Sequence, residues 1–176
     1  MILTSVGEVG VHYKGVDIVL RPTLYAMSTL SDAVETFRQA MDGSLSACRA
    51  FIYASNDNPE HDDLLFELVG GIDEDGYKQG VETINNICRI GQCLAKHGIV
   101  GDVQRDVITE EDTSTEFVAR DYVATAMAHL NLSEREAWQM TMTSLVSALK
   151  AKYPKQEAHS LKEYEEHDAW LDSIRG

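Results

Sequence analysis

The sequence predicts a mainly α-helical protein: an irregular bundle of about six or seven helices with a short N-terminal β-hairpin and an amphipathic C-terminal helix. Two observations support this prediction. Apolar residues alternate with polar ones only before Pro22, and beyond it they recur at steps of three and four residues. In three places after residue 112 a Ser or Thr is followed three positions later by Glu, the pattern of a helix N-terminal capping box.

The N-terminal hairpin is predicted from two alternating runs on either side of Lys14-Gly15. The glycine supplies the positive φ that a two-residue turn needs. Because an isolated hairpin is only marginally stable in water, this one should lie against the helices or extend another sheet across a subunit contact. In the second case, the self-association edge would be formed by Val11, Tyr13, Val16 and Ile18.

Four helical segments are predicted in the first hundred residues, at about 24–41, 45–54, 59–69 and 81–95. Asn58-Pro59 begins the third as a cap followed by proline at the first helical position. Residues 72–77 are predicted to be a polar turn. The fourth helix is expected to end at Gly98, since a cation followed by glycine is a common helix ending.

The three capping boxes predict the remaining helix starts. They pair Thr113 with Glu116, Ser133 with Glu136, and Ser160 with Glu163. The corresponding helices would cover residues 115–130, 134–152 and 161–174, and the path of residues 99–112 is left open. This division predicts a domain of hairpin and bundle at residues 1–154, followed by a linker and amphipathic helix at 155–176.

Composition narrows the class of protein. The chain has 176 residues, 44% of them hydrophobic and 25% charged, which is enough for one core without disulfides or metals. With 15 basic and 29 acidic residues, the net charge of −14 argues against nucleic acid or an anionic membrane as the main partner. Three cysteines and no long apolar run favour reduced thiols in a soluble intracellular protein.

No residue pattern predicts catalysis, a cofactor or a metal site. Four sets with metal-ligand residue types each have a more ordinary explanation as buried cysteines, a helix cap, a surface turn and a solvated helix face: Cys88-Cys93-His97, His61-Asp62-Asp63, Asp73-Glu74-Asp75 and Glu163-His167. An enzyme would need a pocket that gathers His61, His97, His129 or the acidic residues, which sequence spacing cannot reveal.

The predicted C-terminal helix has the features of a partner-binding element. Its large apolar residues stand on an otherwise charged segment that follows a polar linker. The alternative is that the helix packs on its own domain. The residues expected to contact a partner are Tyr164, Trp170, Leu171 and Ile174.

Three segments resemble the tail assembly chaperones of long-tailed, siphovirus-type bacteriophages. They are GVHYKGVDIVLRPTLYAM at residues 10–27, LAKHGIVG at 94–101 and LNLSEREAWQMTM at 130–142. The resemblance implies a non-enzymatic protein that binds and solubilises the tape measure protein and helps to recruit tail tube subunits. It also implies a location in the host cell cytoplasm and absence from the mature virion.

Such a chaperone needs exposed apolar surface, a charged exterior, and oligomerisation or multivalency along a long partner. In this interpretation the last helix occupies or shields an apolar surface until a partner takes it. A second interpretation is a small acidic regulator that masks a basic surface of a host protein. Salt dependence separates the two, because ionic contacts are screened and apolar contacts persist.

Overall fold

The computed structural model describes residues 2–101 and 116–154, and these residues form a mainly α-helical fold with an N-terminal hairpin, as predicted. The hairpin consists of β1 (Val9–Tyr13) and β2 (Val16–Leu20), and a second hairpin consists of β3 (Gly70–Asp73) and β4 (Gly76–Gln79). Eight α-helices occur within the described residues: α1 (Leu24–Ser28), α2 (Ala33–Met41), α3 (Leu45–Ala54), α4 (Asp62–Val69), α5 (Ile84–Ala95), α6 (Ala119–Leu130), α7 (Glu134–Trp138) and α8 (Met142–Lys152).

The first hairpin closes through the predicted two-residue turn. Lys14 and Gly15 both have positive φ, at 48° and 80°, the combination that a type I′ turn requires. The hairpin lies against the helices, since Ile18 and Leu20 are fully buried in the helical core. This corrects the assignment of Ile18 to a self-association edge, because its side chain has no surface left for a second chain.

The other three residues of the predicted edge remain partly accessible. Val11, Tyr13 and Val16 are half-buried against the same core as Ile18. Self-association through their exposed surface stays a prediction.

Two of the predicted long helices are interrupted. The segment at 24–41 is divided into α1 and α2, because Asp32 begins a new helix by accepting a hydrogen bond from the Glu35 backbone N–H at 2.9 Å. The segment at 134–152 is divided into α7 and α8, where Thr141 caps α8 by accepting from Ser144 N–H at 3.1 Å. Thr141 also forms a β-bridge with Thr23, the residue that caps α1, so the second interruption lies against the start of α1.

The capping boxes have different outcomes. Ser133 and Glu136 form the complete reciprocal box that begins α7, and the hydrogen bonds from Ser133 lower the pKa of Glu136. The predicted start of a helix at residue 115 is wrong for residues 116–118, which are not helical, and α6 begins at Ala119 without a side-chain cap. Thr113, the Ser160–Glu163 box and the predicted helix 161–174 lie outside the described residues.

The predicted polar turn at 72–77 is instead the centre of the second hairpin. Asp73 pairs with Gly76 around a two-residue loop, and Gly76 has the φ of 111° that favours glycine. Lys78 binds the carboxylates of Asp73 at 2.5 Å and Asp75 at 3.4 Å. The hydrogen bond from Lys78 lowers the pKa of Asp73.

The predicted end of α5 at Gly98 is also wrong. The helix continues as a π-helical turn, Lys96–Val100, and ends at Gly101, whose φ is 77°. Gly98 serves packing instead, because a Cβ at this position would lie 2.5 Å from Sδ of Met27. The described residues contain no helix long and apolar enough to cross a membrane.

Two clusters of buried side chains form the core. The first gathers the first hairpin with α3, α4 and α5, and Phe51 is its largest fully buried side chain. The second joins α1 to α6, α7 and α8 around Leu24, Val123 and Leu145. Phe117 packs against both clusters, so the core is continuous between them.

The thiol of Cys48 is expected to be unreactive in the folded protein. Burial raises the pKa of Cys48 to about 12, with a smaller contribution from the neighbouring Cys88 thiol. At pH 8 only about one Cys48 thiol in ten thousand would be the reactive thiolate. Mass spectrometry after iodoacetamide treatment should find Cys48 unmodified until denaturant is added. Equal labelling of Cys48 and the half-buried Cys88 in native buffer would contradict this prediction.

Candidate docking surfaces

None of the residue sets considered for metal binding converges in the described parts of the chain, where no three His, Cys, Asp or Glu side chains form a metal site. His97 instead pairs its Nδ1 with the Thr143 hydroxyl at 2.8 Å, and Asp62 accepts a hydrogen bond from the Asn56 amide at 2.7 Å. Glu163 and His167 lie outside the described residues.

A group of exposed apolar side chains follows the second hairpin into α5. Ile72 and Tyr77 are cross-strand partners, so their side chains lie on the same face of the hairpin. We call this group the hairpin patch, and the exposed fractions of its residues are Ile72 82%, Tyr77 60%, Val81 68% and Ile84 54%. Ile72 and Tyr77 are adjacent, and Val81 and Ile84 follow them within thirteen positions of sequence.

The hairpin patch is attached to the core by Arg49. Arg49 is only 8% exposed, and its Nε donates to the backbone carbonyl of Val69 at 2.8 Å, just before β3. Its Nη2 donates to the Tyr77 hydroxyl at 3.1 Å, and the guanidinium carbon lies 5.2 Å from the centre of the Tyr77 ring. The hairpin therefore presents its apolar residues from a fixed support.

A second surface is the cleft beside α7, which we call the Trp138 groove. Its central part has a volume of about 840 Å³ and a mostly apolar lining. Tyr25 is 60% exposed there and meets Trp138 edge to face, with ring centres 6.3 Å apart. The central lining residues are Tyr25, Ser28, Ser133, Glu134, Arg135, Trp138 and Gln139.

The groove continues past Trp138 into a neighbouring cavity of about 590 Å³, which shares Ser28 and Trp138 and adds Phe117, Val118 and Arg120. This second cavity has a more polar lining that includes Asp32 and Glu116, so charges of both signs stand along the cleft. Within residues 2–101 and 116–154, neither Arg120 nor Arg135 forms an ion pair.

The structure does not bring together the two predicted sets of contact residues. The hairpin residues contribute to the core, as described above, whereas Tyr164, Trp170, Leu171 and Ile174 lie outside the described residues. Their role as partner contacts stays a prediction.

Sequence analysis missed both surfaces, although each left a local signal. Asp75-Gly76 between Ile72 and Tyr77, two residues of high β-propensity, is a hairpin signal, although the observed loop is Glu74-Asp75, one position earlier than an Asp-Gly loop would give. Thr141 is a strong helix cap within the segment assigned to one helix. Ending the helix there makes α7 short and brings Trp138 beside Tyr25.

Comparison with known proteins gives one family match. No curated protein and no solved structure matches the chain. A family model described as a family of unknown function, DUF6246, matches residues 60–166, which is more than half of the chain. The matched range includes the hairpin patch and Trp138 but not Tyr25. The chain belongs to this family of unknown function, DUF6246.

Proposed function

We propose that the protein is a non-enzymatic phage tail assembly chaperone that holds an apolar helical face of the tape measure protein on its hairpin patch. The patch is the observation that supports this proposal, because it offers apolar area without a covering element among the described residues. The three sequence segments that resemble tail assembly chaperones supply the identity of the partner. Recruitment of tail tube subunits, action in the host cytoplasm and absence from the virion belong to the same proposal.

The free energy of burying the hairpin patch is large enough for a chaperone that binds through several copies. Burying one large aliphatic or aromatic side chain contributes about 2 kcal/mol. Ile72, Tyr77, Val81 and Ile84 together give a modest affinity for one copy, since association and ordering oppose the gain. Several copies along one long helical partner would bind it more firmly and still release it stepwise during assembly.

The charge of −14 supports the alternative, an acidic regulator that masks a basic surface. Part of the acidic excess is already engaged within the protein. Glu67 binds Lys14, Asp73 binds Lys78, and Arg21 binds both Glu8 and Asp57. Apolar exposure on the second hairpin has no use in charge mimicry, and we therefore favour the chaperone.

Co-expression tests the proposed function directly. The probe is the product of a long, helix-rich reading frame immediately downstream, expressed with and without the full chain. We expect the chain to raise the soluble fraction of that product. Ile72→Asp should weaken binding about 30-fold, which corresponds to loss of about 2 kcal/mol from one buried isoleucine.

Met127→Asp is the matched control, since Met127 is also an exposed apolar residue, on α6, and the substitution adds the same charge. This variant should bind like the natural chain. Binding that persists in 1 M NaCl supports an apolar contact, whereas complete loss by about 0.5 M NaCl would favour the acidic regulator. Equal binding by the Ile72 and Met127 variants would remove the hairpin patch from the proposal.

A further inference from the structure

We infer that Cys48 and Cys88 form an oxidisable thiol pair, which hydrogen peroxide joins as a disulfide between α3 and α5. Cys48 lies in α3 and Cys88 in the first half of α5. The reaction needs no partner protein, so the inference holds or fails separately from the proposed function. It is supported by the positions of the two sulfurs, by their unequal exposure and by the place of the bond in the fold.

The two cysteines lie where α3 and α5 cross. A Cβ on Gly91 would lie 2.6 Å from both Cα and Cβ of Cys48, so the two backbones are close to contact at this point. Cys88 is one helical turn before Gly91 and packs against the buried cluster that contains Cys48. A disulfide needs Cα atoms no more than about 7 Å apart, and glycine at the crossing permits so close an approach of the helices.

Both thiols also reach the carboxyl end of α2. The Cys48 thiol donates to the Ala40 carbonyl at an S···O distance of 3.7 Å, and the Cys88 thiol donates to the Gly43 carbonyl at 3.8 Å. A hydrogen bond of 3.0 Å from Gly43 N–H to the Ala40 carbonyl holds these two acceptors together. Since the Cys88 thiol also interacts directly with that of Cys48, the sulfurs are neighbours before any oxidation.

Unequal exposure sets the order of the reaction. Cys88 is half-buried, whereas Cys48 has no exposed surface, so dissolved peroxide reaches Cys88 first. The Cys88 sulfur attacks one peroxide oxygen, the O–O bond breaks, and the products are a Cys88 sulfenic acid and water. The Cys48 sulfur then attacks the sulfenic sulfur, the S–O bond breaks, and the hydroxyl group leaves as water with the Cys48 proton. One peroxide is thus reduced to two waters while two thiols are oxidised to one disulfide.

Burial of Cys48 does not prevent the second step. Iodoacetamide must enter the core to reach this thiol, whereas the sulfenic sulfur of Cys88 is already beside it. A well-oriented attack within a packed pair proceeds at an effective concentration of about 10⁵ M, which offsets the small thiolate fraction of Cys48.

The disulfide would tie together two helices that hold the hairpin patch. Cys48 precedes Arg49, the support of the patch, and Cys88 is one turn after Ile84, the last residue of the patch. Oxidation would therefore restrain the patch from two sides without covering its apolar residues.

Mass spectrometry of the full chain tests the inference. The background is Cys93→Ser, since Cys93 is the third thiol and lies about 140° around α5 from Cys88. After treatment with hydrogen peroxide, this variant should lose the mass of two hydrogen atoms, and digestion should yield one cross-linked peptide pair that dithiothreitol separates. The matched control, Cys88→Ser in the same background, should keep its mass.

Two further measurements follow the intermediate and the product. Adding Cys48→Ser to the Cys93→Ser background should leave the sulfenic acid of Cys88 unresolved, so its labelling by dimedone should rise about tenfold. The oxidised Cys93→Ser chain should unfold at a midpoint about 8 °C higher than the reduced one. Circular dichroism before treatment verifies that the variants are folded.

Three results would overturn the inference. One is conversion of Cys88 to a sulfinic acid while Cys48 stays reduced, and another is a cross-link that joins two chains. The third is a lower unfolding midpoint after oxidation, since the thiols would then have left their packed positions to join.

Discussion

Gly91→Ala is expected to destabilise the protein by about 2 kcal/mol, even though alanine is the better helix former. Gly91 lies in the middle of α5, where the helix crosses α3. A methyl group here would lie 2.6 Å from Cα and Cβ of Cys48 and 2.7 Å from its carbonyl oxygen. Two of these atoms are backbone, so no side-chain rotation can relieve the overlap, and the two helices must separate.

Thermal and urea unfolding measure this effect. For a loss of this size, the thermal unfolding midpoint should fall by about 6 °C. Asn85→Ala is the control, because Asn85 is exposed on the same helix and its replacement tests helix propensity alone. That control should be neutral or slightly stabilising. If Gly91→Ala stabilises as much as Asn85→Ala, the close approach of α3 and α5 is not a constraint on stability.

Local signals in the sequence were sufficient for several elements. The turn at Lys14-Gly15, the Asn58 cap followed by Pro59 and the Ser133–Glu136 box depend on residues that are neighbours in the chain, and all three form. The Asn58 cap begins a 3₁₀ turn, Pro59–His61, that leads into α4. Their physical cause is short-range: a positive φ, a fixed proline φ, or a side chain that reaches a nearby backbone N–H.

The helix breaks were not predictable from the apolar period alone. Apolar residues continue through both breaks, so the sequence suggests unbroken helices. The break before Thr141 is stabilised by contacts that are distant in sequence, including the Thr23–Thr141 bridge and the hydrogen bond from Leu24 N–H to the Met140 carbonyl at 2.7 Å. Such contacts exist only once the fold has formed.

The two surfaces were hidden for a related reason. The sequence predicts one helix over residues 134–152, but α7 ends at Trp138 and leaves its ring half-buried in a groove. Exposure of Ile72 likewise depends on what packs over the hairpin, and a sequence pattern does not carry that information. The candidate site was therefore less predictable than the fold class.

Arg49→Ala is expected to destabilise the protein by about 3 kcal/mol and to loosen the second hairpin selectively. Val69 is almost fully buried, and removal of Arg49 Nε leaves its carbonyl oxygen without this donor. The substitution also removes the contact of the guanidinium with the Tyr77 ring and the packing of the arginine stem. These contacts of Arg49 outweigh the desolvation cost of burying its guanidinium in the folded protein.

Hydrogen exchange and urea unfolding measure the two parts of this prediction. In Arg49→Ala, amide hydrogen exchange should accelerate more in β3 and β4 than in α6, because Arg49 contacts the hairpin directly. Tyr77→Phe is the control: it keeps the ring over Arg49, loses only the hydroxyl bond, and should cost about 1 kcal/mol. Uniform acceleration across β3, β4 and α6 would mean that Arg49 supports the whole core, and the hairpin patch would then lack a support of its own.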